Sequence, residues 1–191
     1  MLVYDIEIIK AIRPKNGQME SSVQYCEGWH DHANMGVSVI CAYDYDSDRY
    51  HVFCADNFNA FAMLAAKSKP LIGFNSVNFD DQVVHHVGLL VATEYDLLIQ
   101  LWRAAGLGPK FEYPSHLGFG LDATAKANQI GGKTGTGELA PINWQRGKIG
   151  NVIDYCLEDV RLTKRLIDRV LRLGILQDPR FPDQVLTLPR P

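Results

Sequence analysis

The stretch Met1-Leu-Val-Tyr-Asp5-Ile-Glu7-Ile-Ile9 opens the chain and decides how the rest can fold. Apart from its two acids the stretch is apolar and rich in β-branched residues, which predicts a buried strand. Side chains on a strand alternate between its two faces, so Asp5 and Glu7 point to the same side. Ionised carboxylates are costly to bury without compensation, and no Lys or Arg lies within the stretch to supply it. A divalent cation bound between the two acids would do so.

A cation of this kind requires further oxygen ligands from elsewhere in the chain. Two acids in apolar or helix-opening surroundings are candidates, Asp80 and Asp159. Asp80 follows the strand-like Leu71–Asn75 and lies on the first turn of a predicted helix, a position where α/β folds place ligand-contacting groups. Asp159 lies in a long predicted helix, four residues after Tyr155 and therefore on the same face. Each acid alone also fits an ordinary role, as a first-turn helix acid or as the partner of a neighbouring side chain.

The composition predicts a single globular domain over residues 1–191, because 47% of the 191 residues are hydrophobic and can form a sizeable core. No apolar run approaches the roughly 20 residues of a membrane helix, and no signal-peptide pattern opens the chain, so we expect a cytoplasmic protein. The net charge of −3 argues against a protein that coats nucleic acid, but not against an enzyme that acts on it. The four cysteines form no C-x-x-C pair, and we expect reduced thiols.

Hydrophobic periodicity outlines the remaining elements. Two antiparallel strands should form a meander with the first one, and five helices should follow. We interpret residues 10–35 as an extended loop or irregular hairpin insertion, and residues 175–191 as a tail along the surface. The predicted strands cover residues 37–43, 49–54 and 71–75, and the predicted helices cover 58–66, 79–87, 121–128 and 151–173. Residues 95–105 are predicted to be a strand end that runs into a helix.

The glycine-rich loop at residues 131–137 satisfies a loose version of the nucleotide-binding P-loop pattern. A P-loop lies between a strand and a helix, whereas here a predicted helix precedes the loop. Nucleotide hydrolysis is therefore disfavoured, and a better use of Lys133 is to approach a substrate phosphate.

Three segments together resemble, in the same order, the three motifs of the DEDD exonuclease superfamily in its tyrosine-bearing branch. They are Tyr4-Asp5-Ile6-Glu7, Gly73-Phe-Asn75-Ser-Val-Asn-Phe79-Asp80 and Tyr155-Cys-Leu-Glu-Asp159. The second is similar to the motif in the proofreading domains of family B DNA polymerases. The resemblance covers residues 1 to about 173 without the insertion. It implies an α/β ribonuclease H-like fold, with a mixed central sheet and helices on both faces, and 3′-to-5′ exonuclease activity.

The same resemblance implies two divalent metal ions as cofactors, Mg²⁺ or Mn²⁺, held by the four acids. Asp5, Glu7 and Asp159 would hold the ion that generates the nucleophile. Asp5 would bridge to the second ion, which Asp80 would reach directly or through water. Tyr155 would orient the attacking water, because a tyrosine with a pKa near 10 is a poor base at neutral pH.

Substrate contacts are implied for four further residues. Ile6, Asn75 and Phe79 would contact the terminal nucleotides, with Phe79 stacking on a base. Lys133 would steady the scissile phosphate.

These residues predict a stand-alone, metal-dependent 3′-to-5′ exonuclease that binds the 3′ end of single-stranded nucleic acid, DNA in preference to RNA, and no membrane. Its exonuclease rather than endonuclease action rests on the resemblance. An exoribonuclease that trims RNA 3′ ends is the nearest alternative, because the acids do not sense the 2′ hydroxyl. A non-catalytic scaffold that binds nucleic acid or a partner is another alternative. The presence of all four acids and the tyrosine argues against it.

Overall fold

A computed structural model describes residues 1–14, 17–133, 135 and 137–191. The strands, in chain order, are β1 (Leu2–Ile8), β2 (Ala11–Ile12), β3 (Tyr25–Cys26), β4 (Val37–Asp44), β5 (Arg49–Phe53), β6 (Leu71–Gly73), β7 (Tyr95–Asp96), β8 (Ile175–Gln177) and β9 (Val185–Thr187). The helices are α1 (His32–Met35), α2 (Phe58–Lys67), α3 (Asp80–His86), α4 (Leu97–Ala104), α5 (Leu121–Ala127), α6 (Ala140–Gln145) and α7 (Ile149–Leu173), with a 3-10 turn at Gly137–Leu139.

Five strands form the central mixed sheet, in the order β5-β4-β1-β6-β7. β1, β4 and β5 pair antiparallel, as the predicted meander requires, and Asp5 of β1 lies opposite Cys41 of β4. β6 and β7 are added in parallel on the other side of β1. The predicted strand at the start of the chain is therefore the centre of the sheet.

Helices cover both faces of this sheet, and the side chains of β1 alternate between these faces as predicted. Leu2, Tyr4 and Ile6 belong to a core shared with α2 and α3. Val3, on the opposite face, belongs to a second core in which Val152 and Val160 of α7 are buried. Asp5 and Glu7 share the face of Val3, and they therefore lie on the side of the sheet that α7 covers.

A cleft lies beside the acids of β1 because β6 is much shorter than β1. β6 pairs with β1 only at Leu2 and Val3, whereas β4 pairs with β1 as far as Ile8. The second half of β1 is thus flanked by a strand on one side only. Beyond the end of β6 the chain turns into α3, which places the start of that helix beside the uncovered half of β1.

The segment 10–35 differs from the predicted loop or hairpin. Its strands β2 and β3 pair in parallel, with Ala11 opposite Tyr25, whereas a hairpin would pair them antiparallel. Lys15 and Asn16 of this segment lie outside the described residues. Gln145 at the end of α6 ties the segment down, because its Nε2 donates to the carbonyls of Ile9 and Gln24 at 2.9 and 3.0 Å.

The segment 175–191 is not the surface tail that we expected. β8 and β9 form an antiparallel hairpin, and Leu176, Leu186 and Leu188 are buried in the core on the α7 side. The preceding helix does end where predicted, at Gly174 in the left-handed conformation (φ 71°).

Two other expectations concern the whole chain. All four cysteines are free thiols, as predicted. Within the described residues, no helix is both long and apolar enough to cross a membrane.

Candidate active site

Three carboxylates converge where α7 packs on β1. One oxygen each from Asp5, Glu7 and Asp159 can be chosen so that all three lie within 4.8 Å of one another. Among the described residues, this is the one group of three or more Asp, Glu, His or Cys side chains close enough to share a metal ion. Its members come from the first and the last of the three sequence motifs.

The donor set of this cluster fits a hard divalent cation. Carboxylate oxygens are the ligands that Mg²⁺ and Mn²⁺ prefer. In Asp159, Oδ2 accepts a hydrogen bond from Lys133 Nζ at 2.5 Å, whereas the buried Oδ1 has no hydrogen-bond partner among the described residues. A buried carboxylate oxygen without a partner is costly, and a cation at the cluster would satisfy it.

The electrostatics of the cluster also call for additional positive charge. Burial and the neighbouring Asp159 raise the pKa of Asp5 and of Glu7 well above their usual values. Burial likewise raises the pKa of Asp159, although the ammonium group of Lys133 opposes that rise. One lysine charge therefore faces three carboxylates, and a bound divalent ion would favour their ionised forms.

Tyr155 lies one helical turn before Asp159 and contacts the same lysine. Its hydroxyl accepts a hydrogen bond from Lys133 Nζ at 3.0 Å. Burial and the charge of Asp159 raise the pKa of Tyr155 to about 12. At neutral pH this hydroxyl is therefore protonated, and it can orient a water molecule but cannot serve as a general base.

Asp122, which the sequence analysis did not single out, holds Lys133 in position. Asp122 Oδ1 accepts from the backbone N–H of Lys133 at 2.8 Å, and its Oδ2 accepts from Lys126 Nζ at 2.6 Å. A Cβ at Gly132 would lie 2.6 Å from Lys126 Cε, so a larger residue there would require the lysine side chain to move. Helix α5 precedes this loop, as predicted, and Thr134 of the P-loop-like pattern lies outside the described residues.

Asp80 lies on the same cleft but outside the group of three. It is buried at the first position of α3, and its Oδ1 accepts from the backbone N–H of Ile6 at 3.2 Å. That N–H belongs to the half of β1 that β6 does not cover. Burial raises the pKa of Asp80 to about 7.

Asp81, the alternative first-turn acid, faces away from the cleft. Its carboxylate accepts hydrogen bonds from the Tyr4 hydroxyl at 2.5 Å and from the backbone and side chain of Thr93, both at 2.9 Å. Tyr4 points to the opposite face of β1 from Asp5. Of the two adjacent acids, it is therefore Asp80, the one predicted from the sequence, that borders the cleft.

The turn between β6 and α3 is shaped by Asp96, a second residue whose role the sequence analysis missed. Its carboxylate accepts from the backbone N–H groups of Asn75 and Val77 at 2.9 and 3.0 Å, and it also caps α4 through two more backbone N–H groups. Asn75 adopts a left-handed conformation (φ 65°), and a Cβ at Gly73 would lie 1.8 Å from a side-chain oxygen of the turn. An acid directly before the apolar α4 was the available signal, since that is the pattern of a helix cap.

All of the site residues predicted from the sequence border one cleft of about 680 Å³. They are Asp5, Ile6, Glu7, Asn75, Phe79, Asp80, Lys133, Tyr155 and Asp159. The cleft has a second wall that the sequence analysis did not anticipate, formed by residues of the 10–35 segment and by Pro141 and Ile142 of α6.

Comparison with known proteins bears on the fold. No protein-family profile and no curated protein matches the chain. Among solved structures, the chain is similar to the family B DNA polymerase from the hyperthermophilic archaeon Pyrobaculum calidifontis, with a TM-score of 0.57 and 17% sequence identity over 89% of this chain. The matched region is 24% of the polymerase, so the chain spans about a quarter of its length. The mixed sheet with helices on both faces is thus a ribonuclease H-like α/β fold, as predicted.

Proposed function

We propose that residues 1–191 act as one exonuclease domain, which hydrolyses phosphodiester bonds from the 3′ end of single-stranded DNA with the help of two divalent metal ions. The convergence of Asp5, Glu7 and Asp159 within 4.8 Å is the observation that carries the proposal. The order and spacing of the three exonuclease-like motifs support it, and so does the similarity in fold to a DNA polymerase.

In this proposal the four acids are the metal ligands. Asp5, Glu7 and Asp159 would hold one ion, and Asp5 and Asp80 would hold the other, with Mg²⁺ or Mn²⁺ as the cofactor. When bound, two such ions activate water for attack on phosphorus and neutralise charge on the phosphate and on the departing 3′ oxygen.

Lys133 and Tyr155 orient the reacting groups. A lysine ammonium has three N–H donors, and two of those of Lys133 are directed at Asp159 and Tyr155. The third can donate to a non-bridging oxygen of the scissile phosphate. The protonated Tyr155 hydroxyl orients the attacking water, whose proton passes to solvent.

The terminal nucleotides are held by cleft residues that neighbour the acids. Phe79 stacks on a base, while Ile6 and Asn75 contact the sugar and base edge of the last nucleotide. Asn75 is well suited to this role because the hydrogen bond from its backbone to Asp96 fixes its unusual conformation.

The test is a pair of 5′-labelled oligomers, one DNA and one RNA of the same sequence, each incubated with Mg²⁺ or Mn²⁺. We expect the DNA to shorten stepwise from its 3′ end, and we expect Asp5→Asn to reduce this activity to background. Asp46→Asn is the matched control, because the Asp46 carboxylate is 73% exposed and absent from the cleft.

Three results would contradict parts of the proposal. Faster shortening of the RNA would favour the exoribonuclease alternative. Cutting of a circular single strand, which has no 3′ end, would show endonuclease action. Absence of cleavage with every substrate and both metals would favour the non-catalytic scaffold.

A further inference from the structure

The second wall of the cleft carries a large exposed aromatic ring. Trp29, in the 10–35 segment, borders the cleft and is 57% exposed. Its ring centroid lies 5.8 Å from that of Phe79, and the two planes are inclined by 59°. The same wall contains apolar residues such as Ala11 and Ile12 and polar ones such as Arg13 and Glu20. Beside the acidic half that contains Asp5 and Asp80, the cleft therefore has an aromatic surface formed by Trp29 and Phe79.

Phe79 links Trp29 to the acids of the cleft. Phe79 directly precedes Asp80, so the aromatic surface begins next to the acidic half of the cleft. Trp29 adds a second ring to that surface. A strand whose last base lies on Phe79 can therefore place its next base against Trp29.

The turn that presents Trp29 is held in place by its own hydrogen bonds and by α6. The backbone N–H of Glu27 donates to Asp31 Oδ2 at 2.9 Å, and the N–H of Asp31 donates to the Gly28 carbonyl at 3.1 Å. Earlier in the segment, the N–H of Gln24 donates to Gln145 Oε1 at 2.6 Å. A ring on a fixed turn loses little conformational freedom when a base stacks on it.

We propose that Trp29 provides a second stacking surface, beside Phe79, for the bases at the 3′ end of a single strand. This inference rests on the proposed function and assigns a substrate contact to the segment that the exonuclease-like motifs leave unexplained. Stacking uses the π-face that every base has, so the contact is indifferent to sequence. It requires unpaired bases, because a base within a duplex is already stacked on both faces.

The test is the binding of a single-stranded DNA 12-mer that carries 2-aminopurine at the position next to its 3′ end. Binding is measured in EDTA, which prevents metal-dependent hydrolysis, and stacking on a ring quenches the 2-aminopurine fluorescence. Compared with wild type, we expect Trp29→Ala to weaken binding about 5- to 150-fold, from the range found for single base–aromatic stacks. The bound-state quenching should decrease, and oligo-dT and oligo-dA should be affected alike.

Two matched variants separate stacking from general disturbance. Trp29→Phe keeps an aromatic face and should bind within a few fold of wild type. Tyr113→Ala removes a ring that is 79% exposed and does not border the cleft, and it should bind as wild type does. In hydrolysis with metal present, Trp29→Ala should raise KM and leave kcat nearly unchanged, because stacking contributes equally to bound substrate and transition state.

The inference is overturned if Trp29→Ala binds the oligomer and quenches its fluorescence as strongly as wild type does, even if the enzyme is active. Equal losses in Trp29→Phe and Trp29→Ala would also overturn it, since they would indicate a structural role for the indole. A wild-type protein that neither binds nor shortens single-stranded DNA would instead refute the proposed function on which the inference rests.

Discussion

Replacing Asp80 by asparagine should stabilise the metal-free protein at high pH and reduce the stability that the protein gains when metal is added. The asparagine side chain has nearly the same shape, and its oxygen can still accept the hydrogen bond from the backbone N–H of Ile6. The substitution therefore removes mainly the ionisable proton. It tests whether the cleft holds its carboxylates under electrostatic strain that a cation relieves.

The magnitude follows from the pKa of this group. In the folded chain Asp80 keeps its proton up to a pKa of about 7, whereas the ordinary value is 3.8. Because the unfolded chain releases that proton first, the free energy of unfolding of the wild type falls as the pH rises from about 4 to 7. At 1.36 kcal/mol per pKa unit, the loss is about 2 kcal/mol at pH 5 and about 4 kcal/mol at pH 8. Asp80→Asn avoids this loss.

The assay is urea denaturation of both proteins in EDTA at pH 5 and pH 8, repeated at pH 8 with Mn²⁺. We expect the advantage of Asp80→Asn over wild type to grow by about 2 to 3 kcal/mol between the two pH values. With Mn²⁺ the wild type should gain more stability than the variant, because only the wild type has the full set of ligands. An advantage that is independent of pH, or equal gains with Mn²⁺, would refute the reasoning.

Three further variants test the framework around the cleft. Asp96→Ala leaves four backbone N–H groups without their acceptor. Urea denaturation should therefore show a loss of about 3 kcal/mol or more in the free energy of unfolding. A loss under 1 kcal/mol would contradict this role of Asp96. Lys133→Ala removes the cation beside Asp159. We therefore expect a rate of 3′-end shortening that is at least roughly tenfold lower, and a lower melting temperature in EDTA. Wild-type values of both would argue against this role of Lys133. Gly73→Ala should lower the melting temperature by several degrees because the added Cβ overlaps a neighbouring side chain. Gly150→Ala is the control, since nothing lies within 4 Å of its Cβ, and its melting temperature should stay close to that of wild type. Equal melting temperatures of the two variants would show that the turn adapts.

Much of the fold followed from local patterns. Alternation along β1 placed Asp5 and Glu7 on one face because a strand has a fixed period of two. Helical spacing placed Tyr155 and Asp159 together for the same kind of reason. Gly174 ended the longest helix as predicted, since it adopts the left-handed conformation that other residues avoid.

Features that depend on distant contacts were not accessible in this way. The parallel pairing of β2 and β3 has no local signature, and the wall that carries Trp29 depends on Gln145, which lies 121 residues after its partner Gln24. Burial of the 175–191 segment likewise depends on a core formed by elements far away in the chain.

Mn²⁺ binding tests the central claim most directly, namely that Asp5, Glu7 and Asp159 converge in order to hold a cation. Electron paramagnetic resonance measures free Mn²⁺ during a titration of the wild type, Asp5→Asn and the exposed-acid control Asp46→Asn at pH 7.5. We expect saturable binding in the wild type and in Asp46→Asn, and its loss in Asp5→Asn, without any need for substrate. Equal Mn²⁺ binding by Asp5→Asn and wild type, or no binding by the wild type, would contradict the account.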